Sequence, residues 1–260
     1  MPNAFSVNAD FILKTMVQTD KKRLEVCLAP DLFDYIRTGA PFITVVVDIL
    51  RATSSICAAF ENGAEKIVPV SSLSELEDYR KKGYLVAAER GGLKPDFADM
   101  GNSPFDFTVP EIKGRSLVIS TTNGTRAIDK ARDKGTVVIG SFINVNAVAK
   151  WIGEQDTNAV VLCAGWERNF CLEDLFFAGS LIESMLIYRD YSLEDDGCQA
   201  ALDIWKAGKE NPLEYVKKTM HWKRLASLGL DDAMEYIFSL NTSGVIPVLN
   251  ENKKAIINVS

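Results

Sequence analysis

The stretch Thr44-Val45-Val46-Val47-Asp48-Ile49-Leu50-Arg51-Ala52-Thr53-Ser54-Ser55 decides the fold. Its apolar start continues a run from Phe42 and reads as a strand buried on both faces, the kind that parallel sheets contain. A short loop of small and polar residues follows, then a helical pattern that Gly63 stops. The layout recurs twice. Ser116–Ile119 runs into Ser120-Thr121-Thr122-Asn123-Gly124-Thr125-Arg126, and Ala159–Leu162 runs into Cys163–Asp174. Such units build α/β proteins, and parallel strands bring their loops to one sheet edge. Helix N-termini there offer unpaired N–H groups and partial positive charge, so an anionic small molecule is the ligand class to expect.

The rest of the chain narrows this further. Its 260 residues suffice for one large α/β domain, expected over residues 21–260, with residues 1–20 as an N-terminal extension. The formal charge of −6 and the lack of a basic run weigh against nucleic acid as a partner. Arginines inside polar loops are therefore the more informative, because only local charge would capture an anion. No apolar run approaches the length of a membrane helix, and no secretory signal is expected in Met1–Asp20. Cys27, Cys57, Cys163, Cys171 and Cys198 are scattered, odd in number and without a Cys-x-x-Cys pair. They read as reduced thiols of a cytoplasmic protein. A single histidine, His221, weighs against a His/Cys zinc site and leaves a carboxylate-held hard cation open.

Strands are expected at Arg23–Leu28, Lys66–Val70, Tyr84–Ala88, Val137–Gly140 and, as an edge strand because of Pro247, Val245–Asn250. Helices are expected at Asp31–Thr38, Thr53–Asn62, Ser74–Lys82, Thr125–Lys134, Asn144–Ile152, Leu172–Met185, Glu194–Lys209, Pro212–Thr219 and Leu230–Leu240. Lys94–Pro110 has no period, but its phenylalanines argue that it is packed. The apolar C-terminal helices leave room for a homodimer interface and serve equally well as core.

Each candidate residue has a plainer reading beside the chemical one. Asp48, at a strand end, can ligate a cation or attack phosphorus; otherwise it caps a helix or pairs with Arg51. Arg51 and Arg126, in matching loops, suit bidentate phosphate binding; either alone reads as a surface ion pair. Thr121-Thr122-Asn123-Gly124-Thr125 can form an anion nest or a simple capped turn. Glu89, before Arg90-Gly91-Gly92, is a metal ligand, a general base or part of a turn. Glu173 and Asp174 suit the helix dipole alone. Cys163 precedes Arg168 by one position too few for a Cys-x5-Arg phosphatase loop and reads as a buried thiol, and His221 reads as a surface or packing residue.

Together, Asp48-Ile49-Leu50-Arg51-Ala52-Thr53, Glu89-Arg90-Gly91-Gly92, Gly101-Asn102-Ser103-Pro104, Thr121-Thr122-Asn123-Gly124-Thr125-Arg126-Ala127, Cys163-Ala164-Gly165 and Leu172-Glu173-Asp174 resemble the signature blocks of the 2-phosphosulfolactate phosphatase (ComB) family. The resemblance runs from about Arg23 to the C-terminus. It implies a three-layer α/β/α fold with a mixed, largely parallel sheet. It also implies a Mg²⁺-dependent phosphatase that converts 2-phospho-3-sulfolactate to 3-sulfolactate and phosphate in coenzyme M biosynthesis. On this resemblance Asp48, Arg51, Arg126 and Glu89 are catalytic, and Mg²⁺ falls to Asp48, Glu89 and Asp174. Thr53, Arg90, Asn102, Thr121, Thr122, Asn123, Gly124, Thr125 and Arg168 fall to the substrate. Trp166-Glu167-Arg168-Asn169 and Cys171 depart from the family pattern and bear on substrate identity, as does Ala98. A phosphatase for another phosphorylated hydroxy acid and a non-catalytic anion-binding protein are the competing expectations.

Overall fold

The computed structural model describes residues 21–260, so the extension expected at 1–20 lies outside the described residues. In chain order the strands are β1 (Lys22–Cys27), β2 (Phe42–Val47), β3 (Lys66–Pro69), β4 (Leu85–Ala88), β5 (Ser116–Ser120), β6 (Thr136–Gly140), β7 (Asn158–Cys163), β8 (Tyr191–Leu193), β9 (Pro247–Leu249) and β10 (Ile256–Asn258). The helices are α1 (Ala52–Glu61), α2 (Leu73–Lys81), α3 (Gly124–Ala131), α4 (Val145–Glu154), α5 (Leu172–Tyr188), α6 (Asp196–Gly208), α7 (Pro212–Val216), α8 (Met220–Ser227) and α9 (Met234–Ile237).

The strands form one sheet in the order β4-β5-β3-β10-β9-β6-β2-β7-β1-β8. β2 is central, parallel to β6 on one side and β7 on the other. Its residues alternate between two cores. Ile43, Val45 and Val47 pack on the side of α4, α5 and α6, while Phe42 and Val46 pack on the side of α1 and α3. This double burial is why the run lacks polar alternation. Helices on both faces give the three-layer α/β arrangement, with a mixed, largely parallel sheet.

One element of the expected layout needs correction. β6, β2, β7, β1 and β8 run parallel, as do β3, β5 and β4. The hairpin β9–β10 sits between the two blocks, with antiparallel pairing at every junction, so the blocks run in opposite directions. The loops after β2 and β5 therefore do not share an edge through parallel alignment. Sheet twist of about 20–25° per strand pair accumulates to roughly 100–125° over the five steps from β2 to β5 and turns one block toward the other. The loops then touch: a Cβ built on Gly124 would lie 2.6 Å from Ala52 Cβ and 2.9 Å from Asp48 Oδ2.

Other differences are local. Asp31–Thr38 is a short 3-10 helix at Pro30–Tyr35, and only Met234–Ile237 of the expected Leu230–Leu240 is helical. β9 is interior, with Pro247 opening the strand, where a missing N–H is tolerated. α8, β8 and β10 lie in segments whose apolar period is too short to read. No helix among the described residues is long and apolar enough to cross a membrane.

α5 and α6 approach so closely that a Cβ on Gly179 would meet Ala201 O at 2.1 Å and Trp205 Cβ at 2.6 Å. Backbone cannot yield cheaply there. Gly179→Ala is expected to lower the unfolding free energy by about 2–3 kcal/mol in urea titrations, an overpacking cost at a site with no flexible neighbour.

Candidate active site

Asp48 follows directly on β2 and is 6% exposed. Its loop is closed by Thr53, whose N–H and Oγ1 donate to Asp48 O at 3.0 and 2.9 Å and whose Oγ1 accepts from Asp48 N at 3.2 Å. The loop after β5 uses the same device. Thr125 Oγ1 donates to Thr121 O at 2.8 Å, and Thr121 Oγ1 accepts from Thr125 N at 3.2 Å. The buried hydroxyls of Thr53, Thr121 and Thr125 thus build the loops, in contrast to the substrate contacts expected of them. Thr122 and Asn123, together with Gly91 and Gly92, reach the cleft.

That cleft is also lined by Asp48, Leu50, Arg51, Glu89, Asn102, Trp166, Glu167, His221, Arg224 and Leu225. Glu89 staples two loops: Oε1 accepts from Gly92 N and from Thr122 Oγ1, and Oε2 accepts from Thr122 N at 3.1 Å. Asp174 staples two others, its oxygens accepting from Ile49 N and Gly165 N at 3.0 Å each. Ser55 Oγ donates to Asn102 O at 2.9 Å and draws the aperiodic segment onto α1.

The arginines divide into two sets. Arg51 is buried, and its Nη1 donates to Leu230 O at 3.0 Å and pairs with Asp232 at 3.4 Å. Burial pushes its pKa down from the usual value, while Asp232 opposes the shift. Arg90 donates to Glu89 O, Ser120 O, Ser71 O and Ser120 Oγ, which makes it a strut beneath the loops. Arg126 lies outside the cleft lining and pairs with Asp31, 2.5 Å away. Arg168 is exposed at the tip of the Trp166–Asn169 turn and also lies outside the lining. Of the four arginines expected to hold anions, the structure brings only Arg51 into the cleft.

Helix α8 supplies what the sequence reading missed. Thr219 Oγ1 accepts from Trp222 N at 3.1 Å and caps it. One face of α8 then carries His221, Arg224 and Leu225 into the cleft. His221 is buried, stacks on Trp166 at 5.2 Å and 5°, and sits 2.7 Å from Glu173 Oε1 through Nδ1. Arg224 lies over the other part of this wall, 5.8 Å from the Trp166 ring, and donates to Gly91 O at 2.8 Å. The signal was the spacing His221/Arg224, three apart and on one helix face, beside the only histidine of the chain. Cys163 is fully buried, and burial pushes its thiol well above the ordinary range, so it is no thiolate nucleophile.

Burial pushes the Asp48 carboxyl up to about 7; the His221 charge opposes this, and Glu89 and Glu173 add to it. Asp174 is likewise raised well above its usual value by burial, then by Asp48 and Glu173. Carboxyls in such surroundings favour a nearby cation. Asn102 Oδ1, buried at the cleft wall and accepting no hydrogen bond among the described residues, adds a neutral oxygen donor. Asp48, Glu89 and Asn102 are the hard oxygen donors that Mg²⁺ takes. Asp48, Glu89 and Asp174 do not converge as a threesome. Among the described residues, Cys171, Glu173 and His221 are the one such set with all ligand atoms within 4.8 Å of one another.

A strand-end cleft in a three-layer α/β sheet, with buried carboxyls facing arginine and histidine, defines an enzyme for small anionic substrates. The family model for 2-phosphosulpholactate phosphatase matches residues 27–252. A probable 2-phosphosulfolactate phosphatase of Carboxydothermus hydrogenoformans is 37% identical over 78% of this chain and 84% of its own length. Proteins of the same description from Thermotoga petrophila and Caldanaerobacter subterraneus subsp. tengcongensis are 35% and 32% identical. Each aligned region spans 79% of this chain and 88% or 86% of the relative. The chain belongs to the 2-phosphosulpholactate phosphatase family and is a phosphoric monoester hydrolase.

The raised Asp48 pKa carries a stability consequence. Above the unfolded value of 3.8 the unfolded chain ionises, whereas the folded protein keeps the proton until about pH 7. Stability is therefore lost as pH rises through this window. In EDTA, Asp48→Asn is expected to raise the Tm at pH 8 by roughly 3 °C or more and to give little gain at pH 4, by scanning calorimetry.

Proposed function

We propose that the chain hydrolyses 2-phospho-3-sulfolactate to 3-sulfolactate and phosphate, with Mg²⁺, as a cytoplasmic step of coenzyme M biosynthesis. The names of its relatives support the substrate. The observation that carries the reading is the cleft itself, where buried Asp48 faces Arg51, His221 and Arg224 within one enclosure. A substrate with phosphate, sulfonate and carboxylate groups needs several cationic partners, and these side chains supply them. The five unpaired cysteines support a reducing compartment.

Asp48 and Glu89, with Asn102 Oδ1, would hold Mg²⁺. When bound, the ion neutralises charge on phosphoryl oxygens and orients them. Asp174 lies outside the cleft lining, and its oxygens, held by the Ile49 and Gly165 amides, set the shape of the loops around it. Arg51 is held through Nη1 alone among the described residues, which leaves the rest of its guanidinium for the phosphoryl group. Thr122 and Asn123 line the same cleft. Arg224, held by Gly91 O and the Trp166 face, receives the sulfonate or carboxylate. His221 is fixed by Glu173 at Nδ1, so Nε2 is the nitrogen left to hold a proton for the departing alkoxide. Leu50, Leu225 and Trp166 exclude water from the cleft walls.

The test is phosphate release from 2-phospho-3-sulfolactate with Mg²⁺ or EDTA, beside a panel of other phosphorylated hydroxy acids. Release is expected only with Mg²⁺, with a preference for the sulfonated substrate. Asp48→Asn and Arg51→Ala are expected to lower kcat/KM by about 10²-fold or more, as loss of a charge-stabilising group does. Arg126→Ala, outside the cleft, is expected to stay within about tenfold, the scale of a lost surface pair. No release by folded protein with Mg²⁺ present would refute the reading, and an Arg126→Ala loss matching that of Arg51→Ala would refute the arrangement.

A further inference from the structure

Cys171, Glu173 and His221 form a second cluster that the phosphatase chemistry does not use as a unit. Cys171 caps α5, Glu173 lies in its first turn, and His221 comes from α8. Cys171 Sγ is 3.8 Å from His221 Nδ1, and Glu173 Oε1 is 2.7 Å from the same nitrogen. All three residues are more than nine-tenths buried. Among the described residues, buried Glu173 Oε2 accepts no hydrogen bond, which leaves a carboxyl oxygen without a partner in the interior. Such an atom is costly unless something positive completes it.

The surroundings offer access to this cluster. Trp166 and His221 line both the catalytic cleft and a second pocket, which Phe170, Cys171, Glu173, Lys218, Thr219 and Met220 complete. The three residues line this second pocket, and Asp48 and Glu89 do not.

We propose that Cys171, Glu173 and His221 bind one thiophilic divalent cation of the zinc class. One sulfur, one imidazole nitrogen and one carboxylate oxygen make a borderline-soft donor set, which selects Zn²⁺ or Co²⁺ over Mg²⁺. Zn²⁺ bonds of about 2.3 Å to sulfur and 2.0–2.2 Å to nitrogen and oxygen, in tetrahedral geometry, require the 2.7 Å His221–Glu173 contact to open by about 0.6 Å. The Cys171–His221 separation already suits a shared ion. Three protein ligands leave a fourth position for water from the second pocket. Binding releases the thiol proton to solvent, since the thiolate is the ligand form of cysteine. The single histidine of the chain argued against a zinc site of the common His/Cys kind; the carboxylate takes the place of the missing second histidine.

The test uses the full chain, stripped with EDTA and desalted, then titrated with Co²⁺ in the presence of excess Mg²⁺. The expected result is one equivalent of bound Co²⁺ with a thiolate-to-cobalt charge-transfer band, bleached by Zn²⁺. Cys171→Ser, checked by circular dichroism for a native fold, is expected to abolish the band and to weaken Zn²⁺ binding at least tenfold in calorimetry. A wild-type protein that shows no band, or a band that survives Cys171→Ser, would overturn the proposal. The readout is spectroscopic and involves no substrate, so it stands or falls apart from the phosphatase reading.

Discussion

The burial of the Asp48 carboxyl where two oppositely directed halves of the sheet meet is the constraint on which the rest of the structure depends. A carboxyl at the end of a central strand, with Ala52 and Gly124 against it, has little water to solvate its charge. The fold accepts this because the two blocks must approach closely to form the cleft. Gly124 allows the approach, since any side chain there would strike Ala52 or Asp48. Thr53 and Thr125 close their loops with hydroxyls, so each strand end is fixed before the two meet. Glu89 and Asp174 then spend their oxygens on backbone amides of neighbouring loops. The acidic residues of the site are thus partly scaffold, while Asp48 is a buried, desolvated carboxyl in the cleft lining.

The C-terminal third completes the enclosure. Asp232 joins Arg51 to Ser103, accepting from Ser103 Oγ at 3.0 Å, and Leu230 O accepts from Arg51 Nη1. The segment after α8 therefore holds the arginine that α1 begins beside. Arg224 reaches back to Gly91, which ties α8 to the loop after β4. Six separate segments of the chain meet around the cleft, and its cationic side comes as much from α8 as from the signature loops.

The sequence made some of this legible, for physical reasons. The run through Val47 announces a doubly buried strand, and a polar residue directly after it must emerge at the sheet edge, so Asp48 and Arg51 were readable. The α/β fold followed from the recurrence of such units, and the family from the resemblance of the signature blocks such as Asp48–Thr53 and Thr121–Ala127. Direction within the sheet was not readable, because a hairpin formed by two three-residue strands reverses half of it, and strands that short carry almost no period. Arg126 was misplaced because its loop resembles that of Arg51. Asn123 caps α3, which sets Arg126 in the first turn on the side facing Asp31. His221 and Arg224 belong to a two-turn helix remote in sequence from the strand loops, and nothing local reports where such a helix docks.

The most direct test of the central claim is a crystal structure with Mg²⁺ and 3-sulfolactate bound. The expected result is product within the cleft, with Mg²⁺ on the Asp48 carboxylate, Arg51 beside the vacated phosphoryl position and Arg224 on the sulfonate or carboxylate. Product bound on the outer face beside Arg126 and Asp31, with Asp48 left untouched, would contradict the account.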